Sequence, residues 1–342
     1  MVERVDFIIP WVDGSDPKWI EEKSKYDKSI RETTSMDASN ADCRYRGDSD
    51  LLRYWFRGVE KNAPWVNAIH FVTCGQKPEW LDENHPKLHL VNHTDYIPSK
   101  YLPTFNSNTI ELNYHRIDEL SEKFVLFNDD VYLLKPVGPE FFFNKAPVID
   151  ANLQYPDYVK YSNWSRVLFN DYCIVNDCFD IVNSINSNRR KWFNVKELGL
   201  GRSFKNFLCF KVNGTLPVGN YGHIALPHLK STLQDVWEKL PDIMDQTCAH
   251  KFRSDDQVNQ WLLSAWDQAK GNFFPAKRKK LGIRIVVSPD FLPLALKIIK
   301  SRSFPQICLN DTDANTDPTT SLREISSAFE TIFPEKSSFE KW

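Results

Sequence analysis

Short runs of β-branched and aromatic residues recur along the chain at 5–11, 68–73, 88–92, 124–127, 207–212 and 283–287. Apolar runs of this length, bounded by polar residues, predict buried strands. The early runs alternate with helical patterns. Between the first two, Leu51, Trp55 and Val59 fall on one helical face, preceded by Asp48, Ser49 and Asp50 as caps and followed by Pro64 as a stop. Strands alternating with helices predict an α/β sheet.

A further helix is expected from 108 to about 120, with Ile110, Tyr114 and Ile117 as its buried stripe. Glu111, His115 and Asp118 then share the opposite face, at i, i+4 and i+7. Leu229, Leu233, Val236 and Leu240 pattern another helix. Ser254 with Gln257 reads as a capping box ahead of Val258, Trp261, Leu262 and Ala265, and Ser321 with Glu324 repeats the device before Leu322, Ile325 and Phe329. The polar stretch 310–319 is expected as a surface loop or lid. There is no internal repeat.

At 342 residues with 42% hydrophobic content, the chain is long enough for a sizeable core. Its formal net charge of -2 gives no overall field that would draw nucleic acid. The 11 Trp and 23 Phe exceed what a minimal core needs and suit ring-stacking on sugars or bases, although packing accounts for most of them. Seven scattered cysteines without a Cys-x-x-Cys pair point away from zinc or redox chemistry and towards a reducing cytosol. Asp6, Pro10 and Asp13 interrupt the N-terminal apolar run, and nothing approaches the ~18 apolar residues of a spanning helix, so neither a secretion leader nor a membrane span is expected.

Five segments could carry chemistry. The strand at 124–127 delivers Asn128, Asp129 and Asp130 at its C-terminal end, where crevices form in open α/β sheets and where a hard divalent cation would find oxygen ligands. The same residues also suit an ordinary turn. After the first strand, Trp11, Asp13, Gly14 and Asp16 supply an aromatic plate, two carboxylates and a flexible glycine, suited to a nucleotide's base and ribose or simply to a polar turn. Asn106, Ser107 and Asn108 lead into the helix bearing Glu111, His115 and Arg116; they could bind an anionic or hydroxyl-rich ligand, or merely cap the helix. His228, ahead of a helix, could act as a general base or be structural. Arg253 could grip phosphate oxygens or be an ordinary surface arginine. Basic runs at 189–191 and 277–280 are expected to face solvent; contact with an anionic polymer or a membrane surface is the second reading.

In their order along the chain these segments resemble the blocks of the Stealth family of sugar-phosphate transferases, which includes bacterial capsular polysaccharide phosphotransferases and the catalytic subunit of the lysosomal-enzyme N-acetylglucosamine-1-phosphotransferase. Ile9-Pro10-Trp11-Val12-Asp13-Gly14-Ser15-Asp16-Pro17 resembles the first block. The second runs from Arg44-Tyr45-Arg46 and Leu52-Arg53-Tyr54 through Gly75-Gln76, Leu102-Pro103-Thr104-Phe105-Asn106-Ser107-Asn108 and His115-Arg116-Ile117 to Asn128-Asp129-Asp130-Val131. Gly222-His223 to His228, extending to Phe252-Arg253-Ser254, resembles the third; Cys308-Leu309-Asn310-Asp311 opens the fourth. No block matches from about 138 to 220, and the compact length is similar to the bacterial branch.

The resemblance implies a Rossmann-like, nucleotide-sugar-transferase-like (GT-A-like) mixed α/β sheet flanked by helices, with helical additions in the C-terminal half. It implies one catalytic domain over 1–342, with a nucleotide-sugar and metal-binding part at 1–137, a variable and acceptor-facing insertion at 138–220, and a completing part at 221–342. The implied reaction moves a sugar 1-phosphate, for example N-acetylhexosamine 1-phosphate, from a UDP-sugar to a hydroxyl of a free or lipid-linked glycan and releases UMP. An ordinary glycosyltransferase is the alternative, and a glycan-binding module a more distant one. Family roles carried over residue by residue place Mg²⁺, or another divalent ion such as Mn²⁺ or Ca²⁺, on Asp130 with Asp129 or Asn128. They make His228 the base and Arg253 the stabiliser of charge on phosphorus, with Glu111, His115 and Arg116 orienting sugar or metal. Trp11, Asp13, Gly14 and Asp16, with Arg44 and Arg53, would cradle the nucleotide, and Asn106 and Asn108 would contact substrate. A cytosolic protein, peripheral at most to the inner face of the membrane, is the expected setting.

Overall fold

The first strand is apolar on both sides, and the structure buries both. In this computed structural model, which describes residues 4–31, 51–153, 163–216, 223–311 and 318–341, the strands in chain order are β1 (Val5–Pro10), β2 (Ile69–Thr73), β3 (Leu88–Asn92), β4 (Lys123–Leu126), β5 (Val131–Leu133), β6 (Phe143–Asn144), β7 (Ala146–Asp150), β8 (Leu226–Leu229), β9 (Phe274–Ala276), β10 (Ile283–Val287) and β11 (Gln306–Asp311). Phe7 and Ile9 of β1 enter one core with Trp55, Phe56, Phe71 and Phe127, whereas Ile8 enters the other with Val72, Phe124 and Leu126. That is the period-2 alternation of a strand covered on both faces. Burying a side chain such as Phe7, with no exposed surface, stabilises the fold by ~1.5–3 kcal/mol.

The main sheet has the order β3-β2-β1-β4-β8. The first four strands are parallel and β8 runs antiparallel to β4. The parallel part therefore has the 3-2-1-4 order of doubly wound folds, with its switch point between β1 and β4. Helices cover both faces: Leu51–Asn62, Leu292–Ser301 and Pro318–Ile332 on one, and Lys230–Lys239, Pro241–Ala249 and Trp261–Lys270 on the other. Two smaller sheets, β10-β11-β5 and β6-β7-β9, extend this frame. The mixed α/β architecture with C-terminal helical additions is the expected one. Among the described residues no helix is long and apolar enough to cross a membrane.

Several sequence-based expectations are corrected. Residues 207–212 lie inside the helix Val195–Asn213, because Asn194 caps its start and Gly214, at φ 62°, ends it; apolar runs of this length do not separate strand from helix by themselves. The helix expected at 108–120 stops at Leu112, and Tyr114–Arg116 is a separate 3₁₀ turn. Glu111 is consequently buried while Asp118 is exposed, so the expected common face of Glu111, His115 and Asp118 does not form. The pair Ser254/Gln257 caps nothing: Gln257 is buried and donates to the Phe252 carbonyl at 3.0 Å, and the helix starts at Trp261. Ser321 sits inside a helix that begins at Pro318. Asn310 belongs to β11 and not to a loop; residues 312–317 lie outside those described, as do Arg44 and Gly222.

Candidate active site

Parallel strands point their C-terminal ends to one edge of the sheet, and the loops leaving β1 and β4 meet there, at the switch point. The loop after β1 is held by Gln76. Its Oε1 accepts from the Asp13 backbone N–H at 2.8 Å, and its Nε2 donates to the Asp13 carbonyl and to Asp16 Oδ2, both at 3.0 Å. Asp13 Oδ1 in turn accepts from the Ser15 backbone and hydroxyl, at 2.9 and 2.6 Å. The Gln76 hydrogen bond is the largest influence holding the Asp16 carboxyl below its ordinary range. Trp11 packs on Phe71 with ring centroids 5.6 Å apart. Gly14 completes this loop, half-exposed.

After β4, Asn128-Asp129-Asp130 turns the chain into β5. Because β11 pairs antiparallel with β5, with Cys308 opposite Val131, Cys308 arrives beside Asp130. Because β8 pairs antiparallel with β4, with Leu226 opposite Leu126, the residues just before β8 arrive at the same edge. The result is a compact group in which Asp130, His223 and Cys308 place one ligand atom each within 4.8 Å of one another. Cys308 Sγ donates to Asp130 Oδ2 at 3.3 Å, and His223 Nδ1 lies 3.5 Å from the same oxygen. Asn128 Nδ2 donates to His223 Nε2 at 2.9 Å, and Asn310 Nδ2 to Asp130 Oδ2 at 3.5 Å. Burial first, and the Asp130 carboxylate second, push the Cys308 thiol well above its usual range, so it keeps its proton. Asp129 is exposed at the rim.

A second cluster is assembled by two segments that zip together. Phe105 donates its N–H to the Lys251 carbonyl at 2.9 Å and stacks on Phe252 at 5.3 Å. Asn106 caps the Ser107–Leu112 helix through its side chain, which accepts from the Asn108 N–H at 3.1 Å, and donates to the His250 carbonyl at 3.3 Å. Asn108 Nδ2 donates to Gln257 Oε1 at 2.7 Å. Arg253 donates through Nε and Nη2 to Ser107 Oγ at 3.1 and 2.8 Å. One helical turn on, Glu111 is buried, and burial raises its carboxyl to about 7 against the opposing pull of Arg253 and His223. Arg253 and His223 thus both act on the same carboxyl, which joins the second cluster electrostatically to the first.

Other expected residues are placed elsewhere. His228 lies within β8 opposite Phe124, two positions or roughly 7 Å further into the sheet than Leu226. It is therefore a strand residue and not the loop-to-helix junction expected. Its ring is 1% exposed, and Nε2 is 3.4 Å from Gln260 Oε1; burial, partly countered by Gln260, brings its pKa down to about 4. His115 and Arg116 turn to Trp237, with the His115 ring 5.7 Å and the Arg116 guanidinium 4.8 Å from the indole ring. Burial, then the Arg116 charge, lowers His115 to about 4. Arg53 lies 4.7 Å over Trp80 and pairs with Glu340 at 3.4 Å.

His223 and Cys308 had no role in the sequence reading. Their signal was only membership of the third and fourth blocks, since Cys308 is separated from Asp130 by 178 residues of sequence. Gln76 stood only as a member of the second block and Gln257 was expected as half of a capping box; neither was expected to brace a loop, because such an amide has no spacing rule of its own.

Strand order and flanking helices are those of a mixed α/β fold of the GT-A-like kind. Residues 3–31 match Stealth protein CR1, conserved region 1, and residues 44–150 match Stealth protein CR2, conserved region 2. The chain is 40% identical to the capsular polysaccharide phosphotransferase WcwK of Streptococcus pneumoniae, with 100% of each covered. It is 38% identical to the receptor polysaccharide phosphotransferase WefC of Streptococcus gordonii over 99% of this chain and 100% of that protein. A capsular polysaccharide phosphotransferase of Streptococcus thermophilus, CpsJ, is 45% identical over 59% of this chain and 84% of its own. The chain belongs to the Stealth family and is an enzyme, a transferase of phosphorus-containing groups.

Proposed function

We propose that the protein transfers a sugar 1-phosphate from a nucleotide sugar to a hydroxyl group of a glycan, in capsular or cell-surface polysaccharide synthesis. The donor in this reading is a UDP-sugar such as a UDP-N-acetylhexosamine, and UMP is released. The observation that supports the reading is the convergence of Asp130, His223 and Cys308 near the switch point, in a chain whose full-length relatives are named polysaccharide phosphotransferases.

Asp130 and Asp129 offer the carboxylate oxygens that Mg²⁺, Mn²⁺ or Ca²⁺ favours, with the Asn128 amide beside them. Cys308 donates to Asp130 and so orients that carboxylate, and with His223 it is the third member of the group whose ligand atoms converge there. A divalent ion held there would neutralise the donor's diphosphate. The loop of Trp11, Asp13, Gly14 and Asp16, braced by Gln76, would receive the nucleotide. Region 138–220 would face the acceptor.

His223 is the residue we assign to take the acceptor's hydroxyl proton: Asp130 faces its Nδ1, and the hydroxyl would replace the Asn128 amide at Nε2. A general base must come within hydrogen-bond reach of its proton, and His228, 1% exposed against Gln260, is the less accessible of the two imidazoles. As the proton leaves, the acceptor oxygen bonds to the phosphorus bearing the sugar, and the bond from that phosphorus to the nucleoside monophosphate oxygen breaks. Arg253 would hold the phosphoryl oxygens and offset the charge that develops there. Glu111, sharing its surroundings with Arg253 and His223, would orient the sugar.

The test follows the phosphorus. With ³²P in the sugar-proximal phosphate of a UDP-sugar, the label should appear in the glycan as a phosphodiester, together with unlabelled UMP. Label recovered in UDP would make the enzyme an ordinary glycosyltransferase.

A further inference from the structure

The helix Val195–Asn213 is turned inside out for a helix packed on a soluble body. It is kinked at Gly199, where φ is 72°. Beyond the kink, Leu200, Phe204, Phe207, Leu208 and Val212 follow at i, i+4, i+7, i+8 and i+12, which is one helical face. That face points to solvent: Leu200 is 76% exposed, Phe204 64% and Val212 72%. The face towards the protein is instead partly polar. Ser203 and Asn206 are buried with Phe210, and Asn206 is fully engaged: its amide donates to the Ala151 and Trp192 carbonyls at 3.1 and 2.8 Å and accepts from the Leu153 N–H at 3.0 Å. These bonds set the rotation of the helix, so the apolar stripe cannot turn inward without breaking them. Large exposed apolar stripes of this kind mark binding surfaces.

The charge around the stripe is one-sided. Between 181 and 216 the chain carries seven cationic residues (Arg189, Arg190, Lys191, Lys196, Arg202, Lys205, Lys211) against Glu197, a local net charge of +6, while the whole chain has a formal charge of -2. Arg189, Arg190, Lys196, Lys205 and Lys211 are exposed. Lys211 lies 5.7 Å over the Phe207 ring. The second basic run joins them, since a side chain at Gly199 would come within 2.9 Å of Lys277 Nζ. Lys277 of the second basic run therefore lies beside the same helix that the first run precedes.

We infer that this helix is a membrane-surface anchor that seats its apolar stripe among the acyl chains of an anionic bilayer while the flanking cations meet lipid phosphates. An apolar face bordered by Lys and Arg is the chemistry of interfacial helices. A second copy of this chain is less well matched to the surface, because a helix carrying Lys196, Arg202, Lys205 and Lys211 against Glu197, and preceded by Arg189, Arg190 and Lys191, would bring like charges together when facing its own duplicate.

The full-length protein should float with vesicles of phosphatidylcholine and phosphatidylglycerol, remain in solution with phosphatidylcholine alone, and be released from the mixed vesicles by high salt. Leu200→Ser, Phe204→Ser and Val212→Ser together should weaken partitioning by about tenfold or more. The combined variant Lys205→Glu and Lys211→Glu should lose the preference for phosphatidylglycerol, with the melting temperature of each variant recorded to show that it is folded. Wild-type protein that ignores both vesicle types, or binding untouched by either set of substitutions, overturns the inference. So does a wild-type dimer in light scattering that the triple serine variant converts to monomer, which would make the stripe a self-association surface.

Discussion

The thiol of Cys308 donates to the carboxylate of Asp130 at 3.3 Å, across 178 residues of chain. Two strands bring this contact about: β5 begins immediately after Asp130, and β11 carries Cys308 directly opposite Val131. The bond links a carboxylate at the end of the main sheet to a second sheet built largely from the C-terminal part of the chain.

Its contribution should be visible in variants of Cys308. Serine keeps a donor, and Cys308→Ser is expected to stay within about threefold of wild-type turnover. Valine removes it, and Cys308→Val is expected to lose roughly tenfold or more, as a hydrogen bond to a charged group is worth ~1.5–3 kcal/mol. Wild-type turnover in Cys308→Val, at unchanged melting temperature, would reduce Cys308 to packing.

Asp130→Ala is expected to abolish chelator-sensitive activity, and EDTA-treated wild-type enzyme to recover when Mg²⁺, Mn²⁺ or Ca²⁺ is returned. If Asp130→Ala stays active and is still quenched by EDTA, the ion binds elsewhere. Isothermal titration of the metal into both proteins provides a readout independent of turnover.

The two imidazoles separate by parallel substitution. We expect His223→Asn to cut turnover by about 10² or more, the usual share of a general base, with little change in melting temperature. His228→Gln should retain most of its turnover and show its effect in stability instead, because that ring is buried against Phe124 and Gln260. The reverse pattern would return the proton to His228.

Arg253→Lys is expected to fall by about tenfold or more in turnover despite keeping its charge, because a single ammonium cannot reproduce the guanidinium fork. Single-turnover measurements should place the loss in the chemical step. A loss confined to donor binding would assign Arg253 to the ground state.

Glu111 predicts a pH-dependent stability. Its carboxyl titrates at about 7 in the fold against an ordinary value of 4.5, so between these values the folded state holds a proton that the unfolded chain has released. Its contribution is fully present below pH 4.5 and is lost as pH rises through about 7. At most it amounts to ~3 kcal/mol, from about 1.4 kcal/mol per pKa unit. His228 runs the other way: lowered to about 4 from 6.5, it weakens the fold as pH falls below about 6.5. Denaturant titrations across this range should show Glu111→Gln gaining on wild type as pH rises. A constant difference would mean that Glu111 is ionised in the fold throughout.

Much of the frame was legible in the residues alone. The runs at 5–11, 68–73, 88–92, 124–127 and 283–287 all became strands; in β1, β2 and β4 this is because a strand buried on both faces is apolar at successive positions. Asp13, Asp16 and the Asn128-Asp129-Asp130 turn were singled out because polar residues at the ends of such strands stand out against their surroundings, and the order of blocks pointed to the family. Short-range pattern failed where tertiary contacts outweigh it. The 108–120 helix breaks after Leu112, and Gln257 binds Asn108 in preference to capping a helix.

What the sequence by itself determined is therefore the four parallel strands of the main sheet with β10, and the class of enzyme. Only the tertiary structure decided which side chains share the switch-point edge. The antiparallel entry of β8 brings His223 to Asn128 and Asp130 while carrying His228 into the core, and the pairing of β11 with β5 delivers Cys308. Strand direction and register are properties of two segments together, so neither segment's own residues can reveal which of its side chains will arrive at the site.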